Sequence, residues 1–139
     1  MSELVAPYIS KAEFSCHHCG MLPPDLETNE MYDILFRIFA SIRESWGKPI
    51  VINSGFRCPL HNASIGGSPI SVHLFGLALD LDCVDEEEVA ELYELINMLE
   101  PDLRIGQYKQ NETFIHIDMG YVIDPRASSS WVEGVRWYK

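Results

Sequence analysis

Two short segments carry the residues most able to do chemistry. SVHLFGLALDLD contains His73 and Asp80 in an otherwise apolar run, and TFIHIDMG contains His116 and Asp118. Burying a carboxylate is costly unless it is paired or bound to a metal. Histidine nitrogen and carboxylate oxygen are both zinc ligands, and a catalytic zinc site takes three protein ligands. His73, Asp80 and His116 would supply such a site.

Strand alternation gives both segments one polar and one apolar face. In LALDLD the leucines point one way, while Asp80 and Asp82 point the other. In TFIHIDMG the isoleucines are separated from His116 and Asp118 in the same manner. We expect Asp82 to lie at the solvent end of its strand. Spacing alone leaves a second interpretation open, in which each histidine is an ordinary residue satisfied by hydrogen bonds.

The rest of the chain supplies the elements that position these strands. Helical periodicity predicts a long core helix in TNEMYDILFRIFASIRESWG and a second helix in DEEEVAELYELINMLEP. PIVINSGF, LALDLD, LRIGQYK and TFIHIDMG are predicted strands. We expect an irregular segment up to about Glu27, a long loop with room for one helical turn in RCPLHNASIGGSPIS, and a C-terminal tail that folds back. This order predicts an α+β domain with a central, mainly antiparallel sheet and flanking helices.

Composition and charge limit the classes of function. At 139 residues, with 47% hydrophobic residues, the chain is expected to form one domain, residues 1–139. The net charge of −11 disfavours nucleic acid and anionic membranes as partners. No apolar run is long enough for membrane insertion. MSELVAPYIS has neither the basic nor the apolar region of a secretory signal, so we expect synthesis in the cytoplasm.

Three motifs resemble those of one enzyme family. The pattern S-x-H-x-x-G-x-A-x-D, from Ser71 to Asp80, is similar to the signature of the zinc D-alanyl-D-alanine carboxypeptidases. SGFRCPLHN upstream resembles the family's S-G-[FY]-R with a following asparagine, and FIHID downstream supplies its last histidine. The motifs occur in the family's order over about residues 51–120. The same fold is found in the hedgehog signalling domain and in peptidoglycan endopeptidases. FIHIDMG most resembles the murein endopeptidase and small phage-type branch.

The resemblance implies a zinc metallopeptidase that cleaves peptidoglycan peptides, as a carboxypeptidase or an endopeptidase. It implies that Arg57 binds the substrate carboxylate or polarises the scissile carbonyl, and that Asn62 and Ser71 support the site. The implied zinc ligands are His73, Asp80 and His116.

The general base is where this sequence departs from the family. Some members place a glutamate three residues before the last histidine, and others place a histidine two before it. Thr113 and Phe114 occupy those positions here, and neither can act as a base. Asp118 shares the strand face of the last histidine and is the predicted base, with Glu112 as the other nearby acid. The alternative role for Asp118 is to orient that histidine or Arg57 by hydrogen bonding.

The cysteines have three interpretations. Cys16 and Cys19 form a C-x-x-C half-site, which needs two further ligands to hold a structural zinc ion. Cys58, Cys83 and the histidines at 17, 18 and 61 are the residues available for this. A disulfide is an equal alternative if the protein works outside the cytoplasm. Free thiols are the default interpretation without a signal peptide.

Three functional hypotheses remain at this point. The first is a monomeric, endolysin-like peptidase that acts on peptidoglycan peptides and reaches the cell wall during phage lysis. The second is a non-catalytic, zinc-containing binding or phage assembly domain of the same fold. The third is a structural protein without metal, which leaves the buried position of Asp80 unexplained.

Overall fold

A five-stranded sheet forms the centre of the computed structural model, which describes residues 3–124, 126 and 128–139. In chain order the helices and strands are β1 (Leu4–Ala6), β2 (Ile9–Ser10), α1 (Lys11–Phe14), α2 (Met31–Trp46), β3 (Ile52–Ser54), α3 (Pro59–Ser64), β4 (Ala78–Asp82), α4 (Glu86–Leu99), β5 (Arg104–Tyr108), β6 (Phe114–Asp118) and β7 (Arg136–Tyr138). Short 3-10 turns cover Val72–Phe75 and Gly120–Val122.

The strand order in the main sheet is β3-β4-β6-β5-β7. All neighbours are antiparallel except β5 and β7, which are parallel. The predicted α+β class and mainly antiparallel sheet are confirmed. The C-terminal tail folds back as predicted, because β7 adds an edge strand next to β5.

The apolar faces of the strands and of the two long helices form one core. Helix α2 ends at Gly47, whose φ of +80° is readily adopted by glycine. Helix α4 begins at Asp85, whose carboxylate accepts the backbone N–H of Glu88 at 2.8 Å. The residues of these elements with no solvent exposure include Leu35, Phe39, Ile42, Leu79, Leu81, Ile96, Ile105, Ile115 and Ile117.

The N-terminal segment is more regular than predicted. The expectation of an irregular chain up to about Glu27 is wrong for residues 4–14, which form β1, β2 and α1. Ser10 and Glu13 form a capping box that starts α1, and Ile9 and Phe14 are fully buried in the core. Elements this short carry too little hydrophobic periodicity to be recognised, and the packing of α1 on β3 stabilises the segment.

None of the helices within the described residues is both long enough and apolar enough to cross a membrane.

Candidate functional site

The pairing of β4 with β6 brings the predicted ligands together. Asp80 lies directly opposite His116, and Ala78 lies opposite Asp118. His73 reaches the same point from the 3-10 turn that precedes β4. Ligand atoms of His73, Asp80 and His116 all lie within 4.8 Å of one another. These three residues therefore form a cluster able to hold a metal ion.

His73 is held in one orientation by backbone contacts. The Ser71 hydroxyl accepts the backbone N–H of His73 at 3.2 Å, and Gly76 ends the turn with a φ of +71°. The His73 ring places Nδ1 2.7 Å from the Gly55 carbonyl oxygen. A carbonyl only accepts, so Nδ1 must carry the ring hydrogen, and Nε2 is left with a lone pair.

This lone pair has no hydrogen-bond partner. Among the described residues, His73 Nε2 is the one buried side-chain nitrogen or oxygen without one. It faces Asp80 Oδ1 at 3.1 Å, although two acceptors repel at this distance. Burial lowers the pKa of His73 despite the nearby Asp80, which keeps the ring neutral. A cation bound by both atoms would remove the repulsion, so the residues present fit a metal ion.

Asp80 is ionised in this setting. Burial alone would raise its pKa, but the hydrogen bond and charge of the His116 ring outweigh burial and hold the pKa well below the usual range. The carboxylate also accepts from Arg57 Nη2 at 3.4 Å. Asp80 therefore brings a full negative charge to the cluster, which offsets the charge of a bound cation.

His116 lies between two carboxylates. Its Nδ1 is 2.9 Å from Asp80 Oδ1, and its Nε2 is 2.6 Å from Asp118 Oδ2. Burial works against protonation, but hydrogen bonds to Asp118 and Asp80 outweigh it and raise the pKa of His116 to about 9. Without a cation the ring is protonated, so a metal ion would replace the proton on Nδ1.

Asp118 is fully buried, and both of its oxygens are occupied. Oδ1 accepts from Arg104 Nε and from the backbone N–H of Gly120, each at 2.8 Å. Oδ2 accepts from His116 Nε2. Burial opposes ionisation, but His116 and Arg104 lower the pKa of Asp118, so it stays ionised.

Sequence reasoning missed Arg104. It lies opposite Asp118 in the β5–β6 pair and is itself buried. One signal was available, because an arginine between Leu103 and Ile105 in a predicted strand needs a partner for its charge. The sequence could not identify that partner, because it depends on which strands are neighbours.

Arg57 lies beside the cluster on the loop after β3. Its Nε donates to Ser54 Oγ at 3.1 Å, and its Nη1 donates to Asn62 Oδ1 at 2.9 Å. Buried Asn62 also donates from Nδ2 to the Ser68 carbonyl at 2.7 Å. A β-carbon at Gly67 would collide with Asn62, so this glycine makes room for the arrangement. Arg57 is thus held with one edge toward Asp80.

The cluster opens into a cleft of about 510 Å³ lined by Arg57, Tyr108, Phe114 and Trp137 as well as the cluster itself. Trp137 lies 5.2 Å from the His116 ring, centroid to centroid, and donates from Nε1 to the Tyr108 hydroxyl at 2.8 Å. Tyr108 stacks on Phe114 at 4.3 Å. An adjoining cavity of about 560 Å³ is shared by Arg57, Asp80 and the exposed Glu112. A peptide could therefore approach the cluster from solvent.

The cysteines divide into a group of three and a single residue. Cys16, Cys19 and Cys58 bring their sulfur atoms within 4.8 Å of one another, whereas Cys83 is buried elsewhere. None of the four is paired in a disulfide. Burial raises the pKa of Cys16, but backbone N–H groups of Cys58, Cys19 and His18 outweigh it and lower the pKa to about 7.

Comparison with known families agrees with this geometry. The profile described as Peptidase M15 matches residues 8–118. The chain belongs to the peptidase M15 family. The matched range contains His73, Asp80 and His116, and membership indicates a zinc-dependent peptidase with peptide substrates. A search of curated proteins finds no match to this M15 chain.

Proposed function

We propose that this M15 protein is a zinc-dependent peptidase that hydrolyses an amide bond in peptidoglycan stem or cross-link peptides. The unpartnered Nε2 of His73, aimed at Asp80 with His116 on the other side, carries the proposal. A buried lone pair that faces a carboxylate is unfavourable by itself, and a cation bound by both groups would remove the repulsion between them. The ion would be held by His73, Asp80 and His116.

Each residue of the site has a proposed task. A bound zinc ion supplies Lewis acidity toward a carbonyl and lowers the pKa of water toward ~7. Arg57, permanently charged and fixed beside Asp80, would bind a substrate carboxylate or the scissile carbonyl oxygen. Phe114 and Trp137 would form walls of the cleft that contact the peptide. Asn62 and Ser71 would position Arg57 and His73.

The contacts of Asp118 favour the positioning role over the predicted role of general base. It has no free oxygen and no solvent exposure, because Arg104, Gly120 and His116 occupy it. By accepting the Nε2 hydrogen of His116, it would keep the Nδ1 lone pair available for the ion. Glu112 lines the adjoining cavity and is the acid we propose for proton exchange with the substrate.

The proposal is tested by incubating purified peptidoglycan with the zinc-loaded protein and following released peptides by mass spectrometry. We expect release by the wild type and a loss of about 100-fold or more in kcat for Glu112→Gln with zinc content unchanged. Asp82→Asn, which neutralises an exposed acid of the same cavity, is the matched control. Full activity of Glu112→Gln would remove Glu112 as the base but leave the peptidase assignment standing.

A non-catalytic zinc-containing binding or phage assembly domain is the second candidate. One observation favours it. Asp118 lies at the cluster but has both oxygens occupied, whereas Glu112 is exposed and lies in the adjoining cavity. Absence of peptide release by the zinc-loaded wild type, from about pH 5 to 9, would favour this second function. Binding to peptidoglycan without cleavage, measured by co-sedimentation, would then support it.

We further propose that the protein belongs to the phage or prophage branch, is made in the cytoplasm as a monomer and reaches the cell wall on lysis. The likeness of FIHIDMG to murein endopeptidases and small phage-encoded peptidases supports this proposal. Host-cell lysis after expression, with and without a co-expressed membrane-permeabilising protein, is the test. We expect lysis only when the membrane is permeabilised.

A further inference from the structure

A second group of ligand-type side chains includes Cys58, the residue that follows Arg57 in the chain. Cys16 and Cys19 come from the turn after α1, and Cys58 comes from the start of α3. Cys16 and Cys58 are 42 positions apart in sequence, yet the Cys58 N–H donates to Cys16 Sγ at 3.4 Å. The three sulfur atoms converge within 4.8 Å of one another.

The turn between the first two cysteines is shaped so that both face the same way. The backbone N–H of Gly20 donates to the Cys16 carbonyl at 2.7 Å, and that of Cys16 donates to the Met21 carbonyl at 2.9 Å. Gly20 has a φ of +73°, a conformation that other L-residues rarely adopt. This C-x-x-C-G turn presents two sulfurs to one point in space.

Two histidines beside the group are candidates for a fourth ligand, although no histidine nitrogen of the described residues joins the three sulfur atoms within 4.8 Å. His61 follows Cys58 with C-x-x-H spacing on the first turn of α3, where its backbone N–H donates to Cys58 Sγ at 3.4 Å. The His61 ring is half-buried and stacks on the exposed His18 ring, with centroids 5.9 Å apart. The C-x-x-H spacing from Cys58 to His61 repeats the C-x-x-C spacing of the turn, which favours His61 over His18 as the fourth ligand.

We propose that Cys16, Cys19, Cys58 and His61 form a second metal site, a closed zinc centre of the Cys3His type. Structural zinc takes four ligands in a tetrahedron, and soft thiolates select zinc over magnesium or calcium. A disulfide would use two of the three converging cysteines and leave the third unpaired. The site does not depend on the proposed peptidase activity.

The second site lies next to the segment that supports the first. In residues 55–58, Gly55 and Arg57 bond to His73, whereas Phe56 and Cys58 bond to the N-terminal segment. Gly55 accepts from His73 Nδ1, Phe56 N–H donates to the Phe14 carbonyl at 2.8 Å, and Arg57 N–H donates to the His73 carbonyl at 3.0 Å. Cys58 completes the series through Cys16 Sγ. A second ion would therefore anchor the segment that orients His73 and carries Arg57.

Metal analysis of the full chain, purified from zinc-supplemented culture without chelator, tests the proposal. We expect two zinc ions per wild-type chain, and one each in His116→Ala and Cys19→Ser. Cys83→Ser, which removes a thiol outside the cluster, is the matched control and should keep both ions. His61→Ala should weaken the second site, whereas His18→Ala should leave it intact.

Cobalt substitution identifies which site holds which ion. Thiolate ligands give Co²⁺ a near-ultraviolet sulfur-to-metal charge-transfer absorption that histidine and carboxylate ligands do not. We expect this absorption in the wild type and in His116→Ala, and its loss in Cys19→Ser. Should Cys19→Ser fail to fold, titrating the wild type with a mercurial reagent replaces it, with release of one zinc ion expected.

Two results would overturn the second site. One is a zinc content that falls to zero in His116→Ala with no sulfur-to-cobalt absorption in the wild type. The other is a count of fewer than four free thiols in unreduced, denatured protein, which would assign the cluster to a disulfide. Either result leaves the first site standing, because its ion is counted separately in Cys19→Ser. A failure of the second site is therefore distinct from a failure of the proposed function.

Discussion

At the scale of single residues, each histidine ring of the cluster has one nitrogen whose hydrogen is already bonded to a neighbour. The Gly55 carbonyl takes the Nδ1 hydrogen of His73, and Asp118 takes the Nε2 hydrogen of His116. The two remaining ring nitrogens both face Asp80. The residues that fix the rings thus decide which nitrogens are free for a cation.

Replacing Asp118 by asparagine should weaken metal binding. The amide cannot accept with the strength of a carboxylate, so His116 would lose its fixed orientation. We expect zinc affinity to fall about 10- to 100-fold, measured by competition with a chromogenic chelator. Asp82→Asn, on the same sheet but exposed, should leave the affinity unchanged. Equal affinities for wild type and Asp118→Asn would contradict the positioning role.

The metal-free protein should lose stability in mild alkali. The folded-state pKa of His116, about 9, lies above the unfolded value of about 6.5. Its protonation therefore stabilises the fold fully below about pH 6.5, and the contribution disappears as pH rises through 9. We expect a decrease of at most about 3 kcal/mol in the free energy of unfolding, measured by urea denaturation in a chelator. The measurement uses Cys16→Ser protein, because the lowered pKa of Cys16 would add stability over the same pH range.

His17→Ala provides the control for this pH dependence, since His17 is exposed and remote from Asp80 and Asp118. Added to Cys16→Ser, it should leave the decrease unchanged. In the Cys16→Ser protein, a free energy of unfolding that stays constant between about pH 6.5 and 9 would show that His116 is not protonated in the metal-free fold.

At the scale of elements, the segment between β3 and the turn before β4, which includes α3, positions Arg57. Helix α3 presents Asn62 to Arg57, and the chain around Gly67 passes close to both side chains. Asn62 ties this passage to the Ser68 carbonyl. The loop is therefore a support for Arg57, although its composition is typical of an ordinary surface loop.

Gly67→Ala should displace Arg57 without unfolding the protein. The added methyl group would collide with Asn62 and press on Arg57 Nη1 at 3.0 Å. If Arg57 binds substrate, we expect KM for a carboxylate-terminated peptide to rise about tenfold or more, with zinc content unchanged. Ser64→Ala, in the same loop but exposed, is the control. An unchanged KM would count against Arg57 as the substrate-binding group.

At the scale of the whole molecule, the site joins distant parts of the chain. The N-terminal segment packs on β3, and the C-terminal strand β7 places Trp137 against Gly106 and beside His116. The sheet itself aligns Asp80 with His116. Because the ligands come from separate elements, binding of an ion favours the folded state over the unfolded chain.

Removing bound metal should lower the stability of the whole domain. At a free zinc concentration about 1,000 times the dissociation constant, binding contributes about 4 kcal/mol to the free energy of unfolding. We expect EDTA to lower Tm by several degrees in the wild type, measured by calorimetry. The variant His73→Ala/Cys19→Ser, lacking a ligand of each site, should be insensitive to EDTA. An equal Tm with and without EDTA for the wild type would contradict metal binding.

The sequence by itself determined the layout of the domain. The alternation in LALDLD and TFIHIDMG assigned Asp80 and His116 to polar strand faces, and helical periodicity located both long helices. These patterns are local, since residues two or four positions apart report on burial directly. The motif order from Arg57 to His116 also indicated the family, which the match over residues 8–118 confirms.

Only the tertiary structure decided what surrounds those residues. Arg104 reaches Asp118 because β5 pairs with β6, and Cys58 joins Cys16 because the N-terminal segment folds onto the loop after β3. Both contacts link residues that no local pattern relates. Strand pairing and loop packing depend on the free energy of the whole fold, so the partners of Asp118 and Cys16 could not be read from the residues alone.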